Sequence, residues 1–186
     1  MGLLSEIKEE IRVIRERDPA MHSNWEVFLY SSFHVMLAYR KAHKQYLKGH
    51  YFRARQISQR AARKYNIEIH PGATIGKGFF IDHGTGVVIG ETAIVGDNVT
   101  LYQGVTLGAR NFRYDASGRP VNIPRHPILE DNVTVYSNTS ILGRVTIGHD
   151  TVVGGNIWLT HDVPPHSRIL QGRAIYVREF DEGEGI

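Results

Sequence analysis

The sequence predicts an α+β chain in which a small helical domain (1–65) precedes a parallel β-helix (66–166) and a C-terminal segment and tail (167–186). Three observations predict it. Apolar residues recur at steps of three and four as far as Tyr65, an aliphatic residue returns at every sixth position after Asn66, and one polar stretch at 110–127 breaks that second rhythm. Steps of three and four give a helix one buried face, whereas a six-residue period suits neither an amphipathic helix nor an antiparallel strand.

The helical part reads as three segments. Leu4, Ile7, Ile11 and Ile14 form the stripe of the first, and Trp25, Phe28, Leu29, Phe33, Met36 and Leu37 that of the second. Asp18-Pro19 separates them, because the residue before a proline is pushed out of the α region. Gly49 precedes the third segment, Tyr51 to about Tyr65, with Phe52, Ile57, Ala61 and Ala62.

The six-residue rhythm runs through Ile69, Ile75, Ile81 and Val87, then in a shifted frame through Ile89, Val95, Leu101 and Leu107, and finally from Leu129 to Leu159. The position after the aliphatic is often Gly, and the residue four after it is small or β-branched, as in Ala73, Ala93, Val99 and Val105. Three short strands then make one triangular coil, the aliphatics stack in rows inside, and each coil buries its face only against its neighbours. Two interruptions stand out. The frame slips by two residues at Gly84-Thr85-Gly86-Val87-Val88, and the loop at 110–127, rich in Gly, Pro, Asn and Asp, must leave the coil. A long loop extruded from a rigid scaffold is usually functional.

Composition narrows the function. The chain has 186 residues and no cysteine, which excludes disulfides, thiolate metal sites and cysteine nucleophiles, and is compatible with a reducing cytoplasm. The first twenty residues lack the apolar core of a signal peptide or a membrane span, so a soluble, cytoplasmic protein is expected. The net charge of +3 is spread over helix faces without the clustering of a nucleic-acid stripe.

The polar residues that interrupt the repeats are the candidates for chemistry. Glu68 and His70 enter the first coil, Asp82 and His83 fall at the frame slip, and Arg125 and His126 end the extruded loop. With about eighteen residues per coil, Glu68 and His83 come near the same corner. A histidine held by a carboxylate is a general base, and its ordinary pKa near ~6.5 suits neutral pH. The alternatives are structural: His83 as a turn cap, Asp18 as a helix cap, Arg125 as a solvated loop residue, and His34, His43, His70, His161 and His166 as packed or turn histidines.

Several motifs together resemble the serine acetyltransferases: Glu68-Ile-His-Pro-Gly-Ala, Ile81-Asp-His-Gly-Thr-Gly-Val-Val-Ile-Gly-Glu-Thr-Ala, Leu101-Tyr-Gln-Gly-Val-Thr-Leu-Gly, Arg125-His-Pro and Asp162-Val-Pro-Pro-His-Ser. Arg17-Asp-Pro-Ala, Phe33-His34, Ala38-Tyr39-Arg40 and His43 extend the likeness into the helices. The resemblance implies a left-handed β-helix and acetyl transfer from acetyl-CoA to the hydroxyl of L-serine, for cysteine biosynthesis. It implies His83 as general base with Glu68, where the family often has aspartate, orienting it. Asp18 and Asp82 match positions that hold the substrate ammonium, and Arg125 and His126 those that hold its carboxylate and place its hydroxyl. A guanidinium fork suits a carboxylate bidentately.

Acetyl-CoA is implied as a co-substrate, with no bound cofactor and no metal, in a groove between subunits of a trimer or a dimer of trimers. The family's Leu-Gly-Gly-Thr-Gly-Lys is replaced here by Leu107-Gly-Ala-Arg110 and a longer loop. Gly108 and Ala109 are therefore backbone candidates for CoA, with Arg110 as the basic residue near its phosphates. The acidic tail, Phe180 to Ile186, resembles the family's C-terminus that enters O-acetylserine sulfhydrylase, which makes Gly185 and Ile186 candidate partner contacts. Because L-cysteine differs from serine by sulfur for oxygen, it is expected to compete at the same site. Competing readings are a sugar or xenobiotic O-acetyltransferase on this scaffold, a zinc carbonic anhydrase using His161 and His166, and a scaffold that keeps only the tail.

Overall fold

The computed structural model describes residues 2–172, with only the backbone of Leu3. Gly185 and Ile186 lie outside the described residues. Three α-helices come first: α1 (Leu3–Arg17), α2 (Ser31–Leu47) and α3 (Tyr51–Tyr65). Asp18 ends α1 in extended backbone, as the following proline requires, and Asn66 ends α3 in the left-handed region at φ 53°. The stripe expected in the second segment is divided. Glu26–Leu29 is a short 3-10 turn, α2 begins only after Tyr30, and Trp25, Phe28 and Leu29 are exposed. Leu4 and Phe52 also face solvent. Helical spacing identified the elements and their buried sides through Ile7, Ile11, Ile14, Phe33, Met36 and Ala61, and failed at the residues near the ends of the stripes.

From Glu68 the chain coils. The first coil is β1 (Glu68–Ile69), β2 (Thr74–Ile75) and β3 (Phe80–Ile81); the second is β4 (Val88–Ile89), β5 (Ile94–Val95) and β6 (Thr100–Leu101). The third opens with β7 (Thr106–Gly108), departs into an antiparallel hairpin of β8 (Arg113–Tyr114) and β9 (Pro120–Val121), and resumes with β10 (Ile128–Leu129) and β11 (Thr134–Val135). The fourth is β12 (Ser140–Leu142), β13 (Thr146–Ile147) and β14 (Val152–Val153). The last keeps β15 (Trp158–Leu159) and β16 (Arg168–Ile169), with its middle strand reduced to a single bridge, Ile147 to Val163.

Successive strands join three parallel sheets in rotation: β1-β4-β7-β12-β15, β2-β5-β10-β13 and β3-β6-β11-β14-β16, here the first, second and third sheets. Val88 sits opposite Thr106, eighteen residues on, which is one coil. Glu68 sits opposite Val88, twenty residues on, so the frame slip adds two residues to one corner. Thr106 sits opposite Ser140, and the intervening loop therefore inserts without disturbing the register. The row aliphatics from Ile81 to Leu159 are buried, most of them completely. Val87 is buried too, but as a corner residue two places before Ile89.

The first coil meets all three helices. α3 lies against β1, α1 packs on β3 through Val13, Ile14 and Phe80, and α2 reaches the turn before β2. There the Tyr39 hydroxyl donates to the Ala73 carbonyl at 2.7 Å, and His43 Nδ1 meets the Pro71 carbonyl at 2.8 Å. Val35, Met36 and Tyr39 belong to the same apolar cluster as the coil interior. Two buried carboxylates tie α1 to α2: Glu10 accepts from Arg40 at 2.8 Å and Glu6 from Lys44 at 2.5 Å. Among the described residues no helix is long and apolar enough to cross a membrane.

Candidate active site

The candidate residues collect at the two corners that flank the first sheet. At the corner entering it, the two extra residues of the frame slip lift the chain outward. His83 sits at φ 56° between Asp82 and Gly84, with Gly84 and Gly86 also at positive φ, and its side chain is 75% exposed. Glycine suits those turns because it has no Cβ to clash. The imidazole Nε2 lies 3.9 Å from Asp82 Oδ1.

Asp18 joins this corner from the helical part. Its Oδ2 accepts a hydrogen bond from the Tyr30 hydroxyl at 2.6 Å, while Oδ1 accepts the Ala20 N–H at 2.8 Å. The Tyr30 phenol is pushed up to about 12, first by the hydrogen bond to Asp18, then by burial and by the negative charges of Asp18, Glu26 and Asp82. The two acids named from sequence thus act on one hydroxyl. Tyr102 and Tyr136 stack at 4.7 Å on the same corner of the next two coils, and the Asp82 charge adds to burial in raising Tyr102.

Glu68 lies at the same edge of the first sheet but does not meet His83. No Glu68 oxygen comes within 4.0 Å of a His83 nitrogen; its carboxylate accepts from the Gln59 amide at 3.4 Å. It faces a cleft of about 340 Å³ lined by Arg63, Asn66 and Val88 among others. The carboxylate beside His83 in this chain is Asp82.

The corner leaving the first sheet holds the other group. Arg125 Nη2 donates to Glu91 Oε2 at 2.9 Å and Nη1 to Asn122 Oδ1 at 2.9 Å, while its guanidinium lies 5.7 Å from the Phe112 ring centre. Its Nε is buried without a partner. Glu91 also accepts from the Tyr46 hydroxyl at 3.1 Å; burial raises its carboxyl, and the hydrogen bonds from Arg125 and Tyr46 outweigh that and leave it below the ordinary range.

His126 is buried, and its Nδ1 accepts the Thr92 N–H at 3.1 Å. That bond puts the proton of the neutral ring on Nε2. Burial, and then the Arg125 charge, lowers its pKa and so favours the neutral ring. The ring packs against Gly90, where a Cβ would come within 1.9 Å of His126 Cδ2. His70, nearby, is packed: Nδ1 accepts the Gly72 N–H at 3.0 Å, and burial, then the Arg55 charge, pushes the ring down to about 4.

Gly108 and Ala109 stand where the third coil departs into the loop, Gly108 pairing with Leu142, and Arg110 is exposed beside Gly143. His161 is exposed, and His166 faces a different corner, beside Asp150.

Sequence reading missed Tyr30, Glu91 and Thr92 as organisers of the site. Glu91 and Thr92 were legible only as part of a motif. Tyr30 carries no local signal, since its role arises from the chain reversal after Asp18.

No family model matches the chain. It is 45% identical over 171 residues to a plasmid-encoded serine acetyltransferase of Synechococcus elongatus, covering 91% of this chain and 53% of the relative. It is 44% identical over 172 residues to a serine acetyltransferase of Bacillus subtilis, covering 91% of this chain and 76% of the relative. Among solved structures, an Entamoeba histolytica serine acetyltransferase in complex with cysteine superposes with TM-score 0.84 at 33% identity, covering 96% of this chain and 62% of that one. A Neisseria gonorrhoeae serine acetyltransferase in complex with serine gives 0.81 at 33% identity, covering 94% and 68%. The chain thus spans about half to three quarters of the length of these relatives.

Proposed function

From the premise that the chain belongs to the serine acetyltransferase family, we propose that it transfers the acetyl group of acetyl-CoA to the hydroxyl of L-serine. The observation that carries this is the meeting of Asp18, Asp82 and His83 at one exposed corner, with the Tyr30 hydroxyl bonded to Asp18 and within reach of the Asp82 charge. Two carboxylates beside a histidine suit an acceptor that carries both an ammonium and a hydroxyl. A neutral sugar acceptor would bring no positive charge to match the paired acids.

In this reading His83 takes the serine hydroxyl proton as the oxygen attacks the thioester carbonyl. The tetrahedral intermediate collapses, the C–S bond breaks, and the proton passes from His83 to the departing CoA thiolate. Asp82 is the carboxylate nearest to hold the imidazolium, and Glu68 is assigned to the same edge as a further acid. General-base assistance of this kind is worth about 10² to 10⁴ in rate. Arg125 and His126 Nε2–H serve the substrate carboxylate and the reacting oxygen, with Glu91 released from Arg125 when substrate binds.

The two groups are separated by a side of the coil, about six residues of extended chain or roughly 20 Å, which serine cannot bridge. We therefore assign the complete site to two chains, the Asp82 corner of one meeting the Arg125 corner of the next around a threefold axis. Exposed Val88 and Trp158, on the outer face of the first sheet between those corners, support such packing. A trimer or a dimer of trimers, a left-handed coil, a CoA groove beside Gly108, Ala109 and Arg110, competition by L-cysteine, and sulfhydrylase binding by Gly185 and Ile186 complete the proposal.

The test is thiol release from acetyl-CoA with L-serine, with glycerol and with a hexose as acceptors. Serine-dependent release that falls at least about 10²-fold in His83→Ala supports the reading. Full activity of that variant, or preference for the hexose, overturns it.

A further inference from the structure

The corner between the second and third sheets, opposite the first sheet, carries a cluster that the acetyl-transfer reading does not use. His149 Nδ1 lies 2.7 Å from Asp150 Oδ2, and His166 Nδ1 lies 3.7 Å from the same oxygen. The two rings meet edge to face at 4.7 Å, and one ligating atom from each of the three residues lies within 4.8 Å of the others.

The cluster follows from the register of the coils. Asn98, Asn132, Asp150 and His166 occupy the same left-handed corner position in successive coils, with φ between 57° and 60°. Asparagine tolerates that backbone and passes its amide to the next coil, as Asn132 Nδ2 does to Asp150 Oδ1 at 2.9 Å. Here aspartate and histidine replace asparagine on the last two steps. Asn132 fixes one oxygen of Asp150 and leaves the other facing both imidazoles, while the His149 backbone N–H donates to Glu130 Oε2 at 2.8 Å.

We propose that His149, Asp150 and His166 bind a divalent first-row transition ion of the zinc type. Ligand atoms about 2.0 to 2.2 Å from a tetrahedral zinc lie about 3.3 to 3.6 Å apart, a range that the 2.7 and 3.7 Å separations bracket. Both imidazoles are open to solvent, so small side-chain rotations complete the geometry and water fills the fourth position. Two imidazoles and one carboxylate favour zinc or nickel over calcium or magnesium, which prefer all-oxygen sites. The ion ties the fourth coil to the last one where their second-sheet pairing is a single bridge, Ile147 to Val163. It is a staple on the weakest joint of the coil, apart from both corners of the candidate active site.

The experiment titrates Zn²⁺ into the full chain, purified without an affinity tag and stripped with chelator, by calorimetry and by thermal melting. One ion per chain and a raised melting temperature are expected, with Co²⁺ giving the visible absorption of a four-coordinate site. His166→Asn, which suits the left-handed backbone, and His149→Ala are each expected to weaken binding by at least about tenfold and to abolish the melting shift. Circular dichroism without metal verifies that both variants keep the fold. Failure of the native chain to take up Zn²⁺ at submillimolar concentration overturns the proposal, as does uptake undiminished in both variants.

Discussion

The Tyr30 hydroxyl donates to Asp18 Oδ2 at 2.6 Å and so fixes a carboxylate of the helical part at the rim of the His83 corner. A phenol pushed up to about 12 remains a donor throughout the working range. If Asp18 holds the serine ammonium, Tyr30→Phe removes one of the two hydrogen bonds that orient that carboxylate and leaves only the Ala20 N–H. The expected outcome is a KM for serine raised about three- to tenfold with kcat within about twofold, read by steady-state kinetics. An unchanged KM would show that Asp18 needs no positioning.

Gly90 lies under the His126 ring with no space for a methyl group. Gly90→Ala must displace the imidazole or the coil, at about 1 to 3 kcal/mol by the usual cost of overpacking. Chemical denaturation should show that loss, and serine turnover should fall with it. Gly172→Ala, where a Cβ meets nothing, serves as the control.

Glu10 is 3% exposed, and burial raises its carboxyl against the pull of Arg40. Removing Arg40 leaves that acid alone in the interior. Arg40→Ala is expected to cost about 3 to 5 kcal/mol in denaturant unfolding, whereas the double change Glu10→Leu with Arg40→Met should recover most of it. A single variant as stable as the native chain would contradict the pairing.

His70 is neutral in the fold, pushed down to about 4 by burial and then by the Arg55 charge, against 6.5 for the free side chain. Between those values the unfolded chain binds the proton and the folded chain does not. The contribution of His70 is therefore whole above pH 6.5 and is lost as pH falls toward about 4. Glu10 shifts in the opposite direction, so the test is a difference. The stability gap between the native chain and His70→Asn should narrow over that window, and a gap that does not vary with pH would refute it.

How much was legible differs from one part to the next. The coil was readable because a repeated row constrains every sixth residue, and Leu101, Leu107, Leu129 and Ile141 are completely buried. The helices were readable as elements, yet Trp25, Leu29 and Phe52 face solvent because spacing records periodicity and not which neighbour arrives. Asp82 and His83 stood out as polar exceptions to the rhythm, whereas Asp18, which joins them from the helical part, was named only through the family resemblance. The partner of Glu68 is Gln59 of α3 because the fifteen-residue spacing to His83 spans the enlarged corner, which carries the imidazole outward. Arg125 and His126 fall at the far edge of the first sheet, a separation set by the triangular section of the coil.

All three helices sit on the first coil: α3 covers β1, α1 covers β3, and α2 holds the turn before β2. A coil built from identical steps has no internal reason to stop, and its end offers three open strand edges onto which another coil could grow. The helices therefore act as a terminator of assembly. A chain cut back to Ile67 would present all three edges at once, turning a discrete protein into a seed for end-to-end fibres.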